Sequence, residues 1–293
     1  AYTLMIVIWS TTPLAIKWSS DGIDFITGVS VRMFIGSFLA LSLALIWYKA
    51  IPLHRTARQV YMASAMSIYG AMMLVYWGAQ YIPSGLISVI FGLSPIFTGI
   101  FALYLLNRQS FGLNQIIGVF LGILGLSVIF SDQLGFGEQA IYGISATLVS
   151  VLLHAGSAVW IKRLDMPLPA LVVTAGGLVF SMPLFLVTFL ICSEPIPDTM
   201  PQRTLYAILY LGTMGSVVGF VSYYFVLAKL SPTTVALATL ITPVTALLLG
   251  QWFNQESISL SVFMGTSLII CGLIIHQFYG VLRRRIMLKK SKA

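Results

Sequence analysis

Apolar residues fill ten long stretches of the chain, and short polar connections separate them. A helix needs about 20 apolar residues to cross the hydrocarbon core of a bilayer, so each stretch predicts one spanning helix. The expected helices cover residues 2–19, 24–47, 60–80, 83–106, 112–130, 140–161, 168–192, 204–228, 232–253 and 259–280. The predicted fold class is therefore an all-α integral membrane protein with ten transmembrane helices.

The pattern of the third, fourth and fifth helices returns in the eighth, ninth and tenth. Tyr76 and Pro95 match Tyr224 and Pro243 at a separation of 148 residues (224−76 and 243−95). Two glycines seven residues apart follow in each copy, Gly118 and Gly125 in the first and Gly265 and Gly272 in the second. A pattern that repeats at about half the chain length predicts two related halves.

Because each half holds an odd number of helices, the second half must enter the membrane from the opposite side. We expect two inverted five-helix repeats, residues 1–130 and 140–280, with a linker loop at 131–139 and a basic tail at 281–293. Inverted repeats are typical of alternating-access transporters, whose binding site lies near the membrane midplane between the repeats. The sequence thus predicts a transporter and not an enzyme; a membrane-embedded enzyme or scaffold of the same topology is the alternative class.

The composition excludes a soluble fold, because 58% of the residues are hydrophobic and 8% are charged, whereas soluble domains carry about 25% charged residues. Cys192 and Cys271 lie in apolar stretches, and we expect both to be small buried thiols and not a disulfide framework. Since Ala1 already stands at the edge of an apolar stretch, we expect the natural chain to begin earlier.

The net charge of +8 is unevenly placed along the chain. With the N-terminus in the cytoplasm, the outer loops hold only Arg203, and the inner side holds Lys49, Arg55, Arg58, Arg108, Lys162, Arg163, Lys229, Arg283, Arg284, Arg285, Lys289, Lys290 and Lys292. By the positive-inside rule, we predict a multi-pass protein of the cell (inner) membrane with both termini cytoplasmic. The basic tail is then expected to contact anionic lipids, and no nucleic-acid partner is expected.

The repeated motifs resemble the drug/metabolite transporter superfamily, in its EamA branch, over essentially the whole chain. The matching residues are Tyr81-Ile82-Pro83-Ser84-Gly85, Ser94-Pro95, Gly118 and Gly125 in the first half, and Leu230-Ser231-Pro232, Thr242-Pro243, Glu256, Gly265 and Gly272 in the second. The resemblance implies a ten-helix transporter of small metabolites, similar to exporters of amino acids, including aromatic ones. Gln109 departs from the family pattern, which often has a glutamate after the fourth helix.

Two prolines, Pro95 and Pro243, interrupt the fourth and ninth helices near their middles, and each removes a backbone hydrogen bond. Inside a membrane, the freed carbonyl must be satisfied by neighbouring groups or by a water-filled cavity. Because Ser94 and Thr242 precede the prolines and offer hydroxyl groups, we interpret both breaks as parts of a substrate pathway. A kink that only helps packing is the alternative.

Four residues of the third helix, Tyr69, Met73, Tyr76 and Gln80, recur at spacings of 4, 3 and 4, as expected for one helix face. This face is predicted either to line a cavity or to pack against another helix. Tyr224 corresponds to Tyr76 in the second half and is a candidate for the same cavity.

Lys17, Arg32 and His154 lie inside predicted spans, where a charge costs about 2.5–3.5 kcal/mol at the membrane centre. Arg32 is expected about 12 Å deep, where it either holds a substrate carboxylate or binds Asp24 or helix-end carbonyls. Lys17 either contacts substrate or extends its amine to the interface. His154, with small neighbours, is either a packing residue or a polar contact in the cavity.

All eight acidic residues fall in loops or at predicted helix ends. Proton relays, and counter-charges for cationic drugs, commonly need a buried carboxylate, so neither is provided. No phosphate-binding loop, metalloprotease motif or clustered metal ligands are present in the sequence, and no cofactor is predicted. We therefore predict alternating-access transport, in the export direction, of a zwitterionic or carboxylate metabolite such as an amino acid, by a monomer or dimer. The alternative is a proton-coupled exporter of drugs or toxic compounds that uses His154.

Overall fold

The computed structural model describes residues 1–106, 113–133, 139–165, 167–195, 197 and 199–290, and these contain helices but no strand. The continuous helices are α1 (Tyr2–Ser19), α2 (Phe25–Tyr48), α5 (Leu113–Gln133), α6 (Gln139–Leu164), α7 (Ala170–Cys192) and α10 (Leu260–Lys290). The irregular ones are α3 (Arg55–Gly78), α4 (Ser84–Leu105) and α8 (Gln202–Lys229), together with α9 (232–254). The predicted ten-helix fold class is confirmed. Gln109, Arg108, Lys292 and part of the predicted linker lie outside the described residues.

Six of these helices, α2, α3, α4, α6, α7 and α8, are long and apolar enough to cross a membrane by length and composition. Shorter apolar stretches lie within α5 (Ile116–Ile129) and α10 (Leu260–Ile275). Cys192 and Cys271 are both unpaired and exposed on the bundle surface, so the expectation that they are buried was wrong. An apolar stretch of a membrane helix faces lipid tails as readily as protein, and apolarity alone therefore does not indicate burial.

Helices α3 and α8 are irregular in the same way, because each contains a π-helical segment. In α3 the segment is Met66–Ala71, and in α8 it is Leu211–Gly219. A π-helical turn contains more residues than an α-helical turn, so the side chains that follow point in a different direction. The two halves thus share a local irregularity that hydrophobic periodicity does not reveal.

Helices α4 and α9 are both broken. The first consists of Ser84–Phe91 and Ser94–Leu105, and the second of Pro232–Ala236, a 3₁₀ turn at Leu237–Leu240, and Thr242–Asn254. Each second piece has its proline in the first turn, where the missing backbone N–H leaves no helical hydrogen bond unmade. Pro95 and Pro243 therefore begin a new helix after the break.

The two halves are interlocked by a pseudo-two-fold arrangement of contacts. Helix α1 packs on α8 and α9, and α6 packs on α3 and α4; α2 packs on α7 and α8, and α7 packs on α2 and α3. Exchanging α1 with α6, α2 with α7, α3 with α8 and α4 with α9 turns each of these contacts into another. This exchange is what two inverted five-helix repeats produce.

The repeated glycines bring α5 and α10 into close backbone contact. A Cβ atom on Gly265 would lie 2.6 Å from the carbonyl oxygen of Gly125, and a Cβ on Gly125 would lie 2.5 Å from that of Gly265. A Cβ on Gly272 would lie 2.8 Å from the carbonyl oxygen of Gly118. Small residues permit this approach in membrane helices, so the glycines join the last helix of each half.

Candidate functional site

A cavity lies between the two halves, and we call it the central cavity. Helices α1, α2, α3 and α4 contribute to its wall from the first half, and α6, α8 and α9 from the second. The aromatic residues Trp9, Phe91 and Phe220 form much of the wall, and its polar groups include Arg32, His154 and Thr242. A mostly apolar cavity with a few convergent polar groups is typical of a small-molecule site.

Arg32 is buried, with 2% of its surface exposed, and it reaches the central cavity from α2. Its Nε donates a hydrogen bond to Oγ of Ser216 at 3.0 Å, and its Nη1 donates to the hydroxyl of Tyr76 at 3.4 Å. The guanidinium carbon also lies 5.8 Å from the centroid of the Tyr76 ring. Two of its three nitrogens are thus used to hold the side chain in one orientation.

The third nitrogen, Nη2, faces a position without a side chain. A Cβ atom on Gly215 would lie 3.2 Å from this nitrogen, and Gly215 lines the central cavity. Asp24, which we had considered as a partner, instead accepts a hydrogen bond from the backbone N–H of Thr27 at the start of α2. Within the described part of the chain, no carboxylate forms an ion pair with Arg32.

His154, on α6, contacts residues of both halves. Its Nδ1 is 2.8 Å from Oγ of Ser67 on α3, and its ring packs edge-on against Trp9 at 5.6 Å between centroids. The ring of Tyr223 lies 5.1 Å away on another side. His154 is held as a packed aromatic residue and also faces the central cavity.

A smaller cavity, which we call the inner pocket, adjoins the central cavity. The two share the residues Trp9, His154 and Thr239. Ser94, at the break of α4, lines the inner pocket, whereas Thr242, at the break of α9, lines the central cavity. The two helix breaks therefore place hydroxyl groups in successive compartments; Pro95 and Pro243 are not among the lining residues.

The predicted face of α3 does not stay together. Tyr69 points at α7, where its hydroxyl lies 2.6 Å from Oγ1 of Thr188 and its ring packs edge-on against Phe185. Tyr76 points at Arg32, and Gln80 donates to the carbonyl of Tyr76. The π-helical segment, Met66–Ala71, overlaps the start of this stretch and changes the direction in which the later side chains point.

The remaining predicted residues, and other residues of α3, occupy positions that the helical spacing did not predict. Met72 and Val75 are the α3 residues that line the central cavity, and Met73 packs against the core. The hydroxyl of Tyr224 lies 2.5 Å from Oγ of Ser64, between α8 and α3. Neither Met73 nor Tyr224 is among the residues that line the central cavity.

Lys17 closes one end of the bundle. Its Nζ donates to the carbonyl oxygens of Ala79 at 2.7 Å and Ile82 at 3.1 Å, in the α3–α4 connection. We call this the outer end, after its predicted orientation. The interaction explains how the charge of Lys17 is satisfied without a substrate.

Lys162 makes the equivalent interaction at the opposite, inner end. Its Nζ donates to the carbonyl oxygens of Leu227 at 3.2 Å and Ala228 at 3.1 Å, at the end of α8. Ile161-Lys162 in α6 corresponds to Ile16-Lys17 in α1. We call these two interactions the lysine clamps, one at each end of the bundle.

Glu256 connects α9 to the start of α4 at the outer end. Its carboxylate accepts hydrogen bonds from the backbone N–H groups of Ser84 and Gly85, from the hydroxyl of Ser84 and from the amide of Asn254, at 2.9 to 3.2 Å. A carboxylate at a helix N-terminus satisfies backbone donors and the helix dipole. This role is structural, and it accounts for the conspicuous Glu256 of the sequence motif.

Comparisons with known proteins agree with this architecture. The sequence model described as EamA-like transporter family matches residues 2–131 and 141–276. The chain is 24% identical over 275 residues to "Uncharacterized transporter YoaV" of Bacillus subtilis, covering 93% of this chain and 94% of that protein. It is 26% identical over 296 residues to an "Uncharacterized transporter" of Archaeoglobus fulgidus, covering 96% and 97%. A solved crystal structure superposes with a TM-score of 0.71 at 18% identity, covering 95% of this chain and 96% of the other.

Proposed function

We propose that this chain, which belongs to the EamA-like transporter family, moves a small carboxylate-bearing or zwitterionic metabolite, such as an amino acid, by alternating access. Membership of a transporter family implies a small-molecule substrate and a multi-pass membrane location. The observation that carries the substrate class is Arg32, a buried cation at the central cavity with no carboxylate partner in the described chain.

The geometry of Arg32 suits an anion that enters from the cavity. Ser216 and Tyr76 hold two nitrogens of the guanidinium, while Nη2 adjoins the open position at Gly215. A carboxylate accepts charge-assisted hydrogen bonds from a guanidinium with good geometry. Bringing it there also pairs a charge that is expensive to bury alone.

The remaining wall of the central cavity suits an apolar or aromatic substrate side chain. Trp9, Phe91 and Phe220 offer aromatic faces, which contribute large contact areas to ligand binding. None of the described lining residues is acidic, so a bare cation would meet Arg32 without a counter-charge. The site therefore favours a zwitterion or a carboxylate over a cationic compound.

We further propose export across the cell (inner) membrane, with both termini cytoplasmic and the repeats meeting at 131–139. The argument for orientation is the excess of lysine and arginine in the loops of the inner end and in the tail, which is typical of cytoplasmic segments. The tail at 281–293 would then contact anionic lipids.

Counterflow in proteoliposomes tests the substrate class. Proteoliposomes that contain the purified protein and are preloaded with neutral amino acids should exchange them for labelled external amino acids. The exchange should persist after an uncoupler collapses any proton gradient. Lipophilic cations should neither exchange nor compete.

The proton-coupled drug exporter remains the second candidate, because His154 is a titratable residue that lines both cavities. If cation efflux is driven by a proton gradient and is abolished by His154→Gln at normal expression, this second candidate replaces the first.

The lysine clamps should bias the carrier in opposite directions. Each lysine donates two charge-assisted hydrogen bonds, each worth about 1.5–3 kcal/mol. Lys17→Met should therefore favour opening of the outer end, and Lys162→Met opening of the inner end, each by roughly tenfold or more in the ratio of the two states.

Labelling of a cysteine at Ser88, in the central cavity, reports on this ratio when reagent is added from one side at a time. Cys192 and Cys271 are exposed and should first be replaced by serine. Lys229→Met is the matched control, because Lys229 lies over the ring of Phe225 and is not part of either clamp. Shifts of the same sign in both clamp variants, or no shift, would contradict opposite roles for the two lysine clamps.

A further inference from the structure

The inner pocket contains two buried hydroxyl groups that have no hydrogen-bond partner within the described chain. They are Oγ of Ser94 and the hydroxyl of Tyr223, and each residue has 2% of its surface exposed. Both residues line the inner pocket. Most buried polar groups in proteins are hydrogen-bonded, and an unpaired one carries a desolvation penalty, so two of them facing one pocket require an explanation.

His154 adds a third polar group at the entrance to this pocket. Its Nδ1 is occupied by Ser67, which leaves Nε2 without a hydrogen-bond partner in the described ranges. Because His154, Trp9 and Thr239 line both cavities, the inner pocket continues the central cavity. Arg32 lines the central cavity but not the inner pocket. The inner pocket therefore adds space that Arg32 does not line.

The repeat makes the chemical difference between the compartments visible. At a separation of 148 residues, Tyr223 in the inner pocket corresponds to Val75 in the central cavity (223−75), and Ser94 corresponds to Thr242 (242−94). Tyrosine therefore occupies the place that valine has in the other half. The inner pocket has hydroxyl groups but no charged residue among its described lining, whereas the central cavity has Arg32.

We infer that the inner pocket is a second substrate subsite, which takes a single hydroxyl group at the end of the substrate remote from its carboxylate. This inference rests on the proposed carboxylate-bearing substrate. A hydroxyl both donates and accepts, so it satisfies Ser94, Tyr223 and Nε2 of His154 without introducing a charge. The pocket has room for about one water-sized group, which is the size of a hydroxyl.

Matched pairs of amino acids test the subsite. L-threonine and L-valine have similar shapes, as do L-tyrosine and L-phenylalanine, and only the first of each pair carries the hydroxyl group. Binding of all four to the purified full chain is measured by calorimetric titration. We expect the polar member of each bound pair to have a Kd about tenfold lower, as one or two additional hydrogen bonds provide.

The double variant Ser94→Ala/Tyr223→Phe should reduce this ratio to about one. Its matched control is Ser30→Ala/Tyr61→Phe, which removes two other buried hydroxyls without partners in the described chain that do not line the pocket. The control should keep the tenfold ratio. Arg32→Gln should weaken both members of each pair and leave their ratio unchanged.

A ratio near one in the wild-type chain, or a ratio that survives in Ser94→Ala/Tyr223→Phe, overturns the subsite while the carboxylate proposal stands. An equal loss of the ratio in the control variant overturns it as well, because the effect would then come from general packing. If none of the four amino acids binds the wild-type chain, the proposed substrate class and the subsite both fall.

Discussion

Arg32→Gln should lower the counterflow rate of a carboxylate substrate about 100-fold while the protein stays folded. Removing one partner of a buried, hydrogen-bonded charge pair costs about 2–5 kcal/mol of binding, and about 2.7 kcal/mol corresponds to 100-fold. Arg32→Lys keeps the charge but loses the planar fork that reaches Ser216 and Tyr76 and should retain only part of the activity.

Thermal unfolding separates a substrate contact from a structural role for this arginine. In the described chain Arg32 has no ion-pair partner, and removing a buried unpaired charge relieves its desolvation cost. Arg32→Gln should therefore unfold at the same temperature as the wild-type chain, or higher. Arg203→Gln is the control, because it removes a charge that pairs with Asp21 at the exposed outer end and should leave transport intact. Normal transport by Arg32→Gln, or loss of transport together with loss of stability, would contradict a carboxylate contact.

Gly265→Leu should prevent the chain from folding stably. A Cβ at this position would already lie 2.5 Å from Cγ1 of Ile129 and 2.6 Å from the carbonyl oxygen of Gly125, and a leucine adds three more carbon atoms. Overpacking costs about 1–3 kcal/mol even where side chains can move, and here the backbone of α5 would have to retreat along the whole contact with α10.

Gly156→Ala provides the matched control for this glycine. Its Cβ would meet its nearest neighbours, Met66 and Phe101, at 3.6 and 3.8 Å, which is ordinary contact, and alanine favours a helix over glycine by about 1 kcal/mol. Size-exclusion chromatography in detergent should show a monodisperse, wild-type-like peak for Gly156→Ala and aggregate for Gly265→Leu. A monodisperse Gly265→Leu with an unchanged melting temperature would mean that α5 and α10 do not depend on this contact.

The ten helices, the repeat and the two helix breaks could be predicted from the sequence, and the structure contains each of them. Their signals can be read directly from the sequence: an apolar run long enough for a bilayer, a proline inside it, and a return of the same pattern at half the chain length. The pairing of α5 with α10 was not assigned, although the spacing of the glycines was visible. The glycines need close backbone approach, and a sequence does not say which helix approaches.

The candidate site could be predicted only in part, and one reason is the irregular backbone of α3. The central cavity is lined by three of the residues that were predicted as candidates for substrate contact, Arg32, His154 and Thr242. Lys17 instead binds backbone carbonyls at the outer end, and Tyr69 packs against α7. The expectation of a single α3 face assumed 3.6 residues per turn throughout. A π-helical segment has more residues per turn, and its formation depends on tertiary packing as well as on local preference.

By itself, the sequence determined that the chain is a ten-helix membrane protein of two inverted halves, because bilayer thickness and backbone hydrogen bonding leave few other ways to arrange such apolar stretches. Tertiary structure alone decided which polar groups meet. It placed Arg32 beside Ser216 and Tyr76 without an acidic partner in the described chain, and it brought Ser94 and Tyr223 to one pocket. These residues lie far apart in the chain, and their contacts follow from how the two halves pack, which no local pattern encodes.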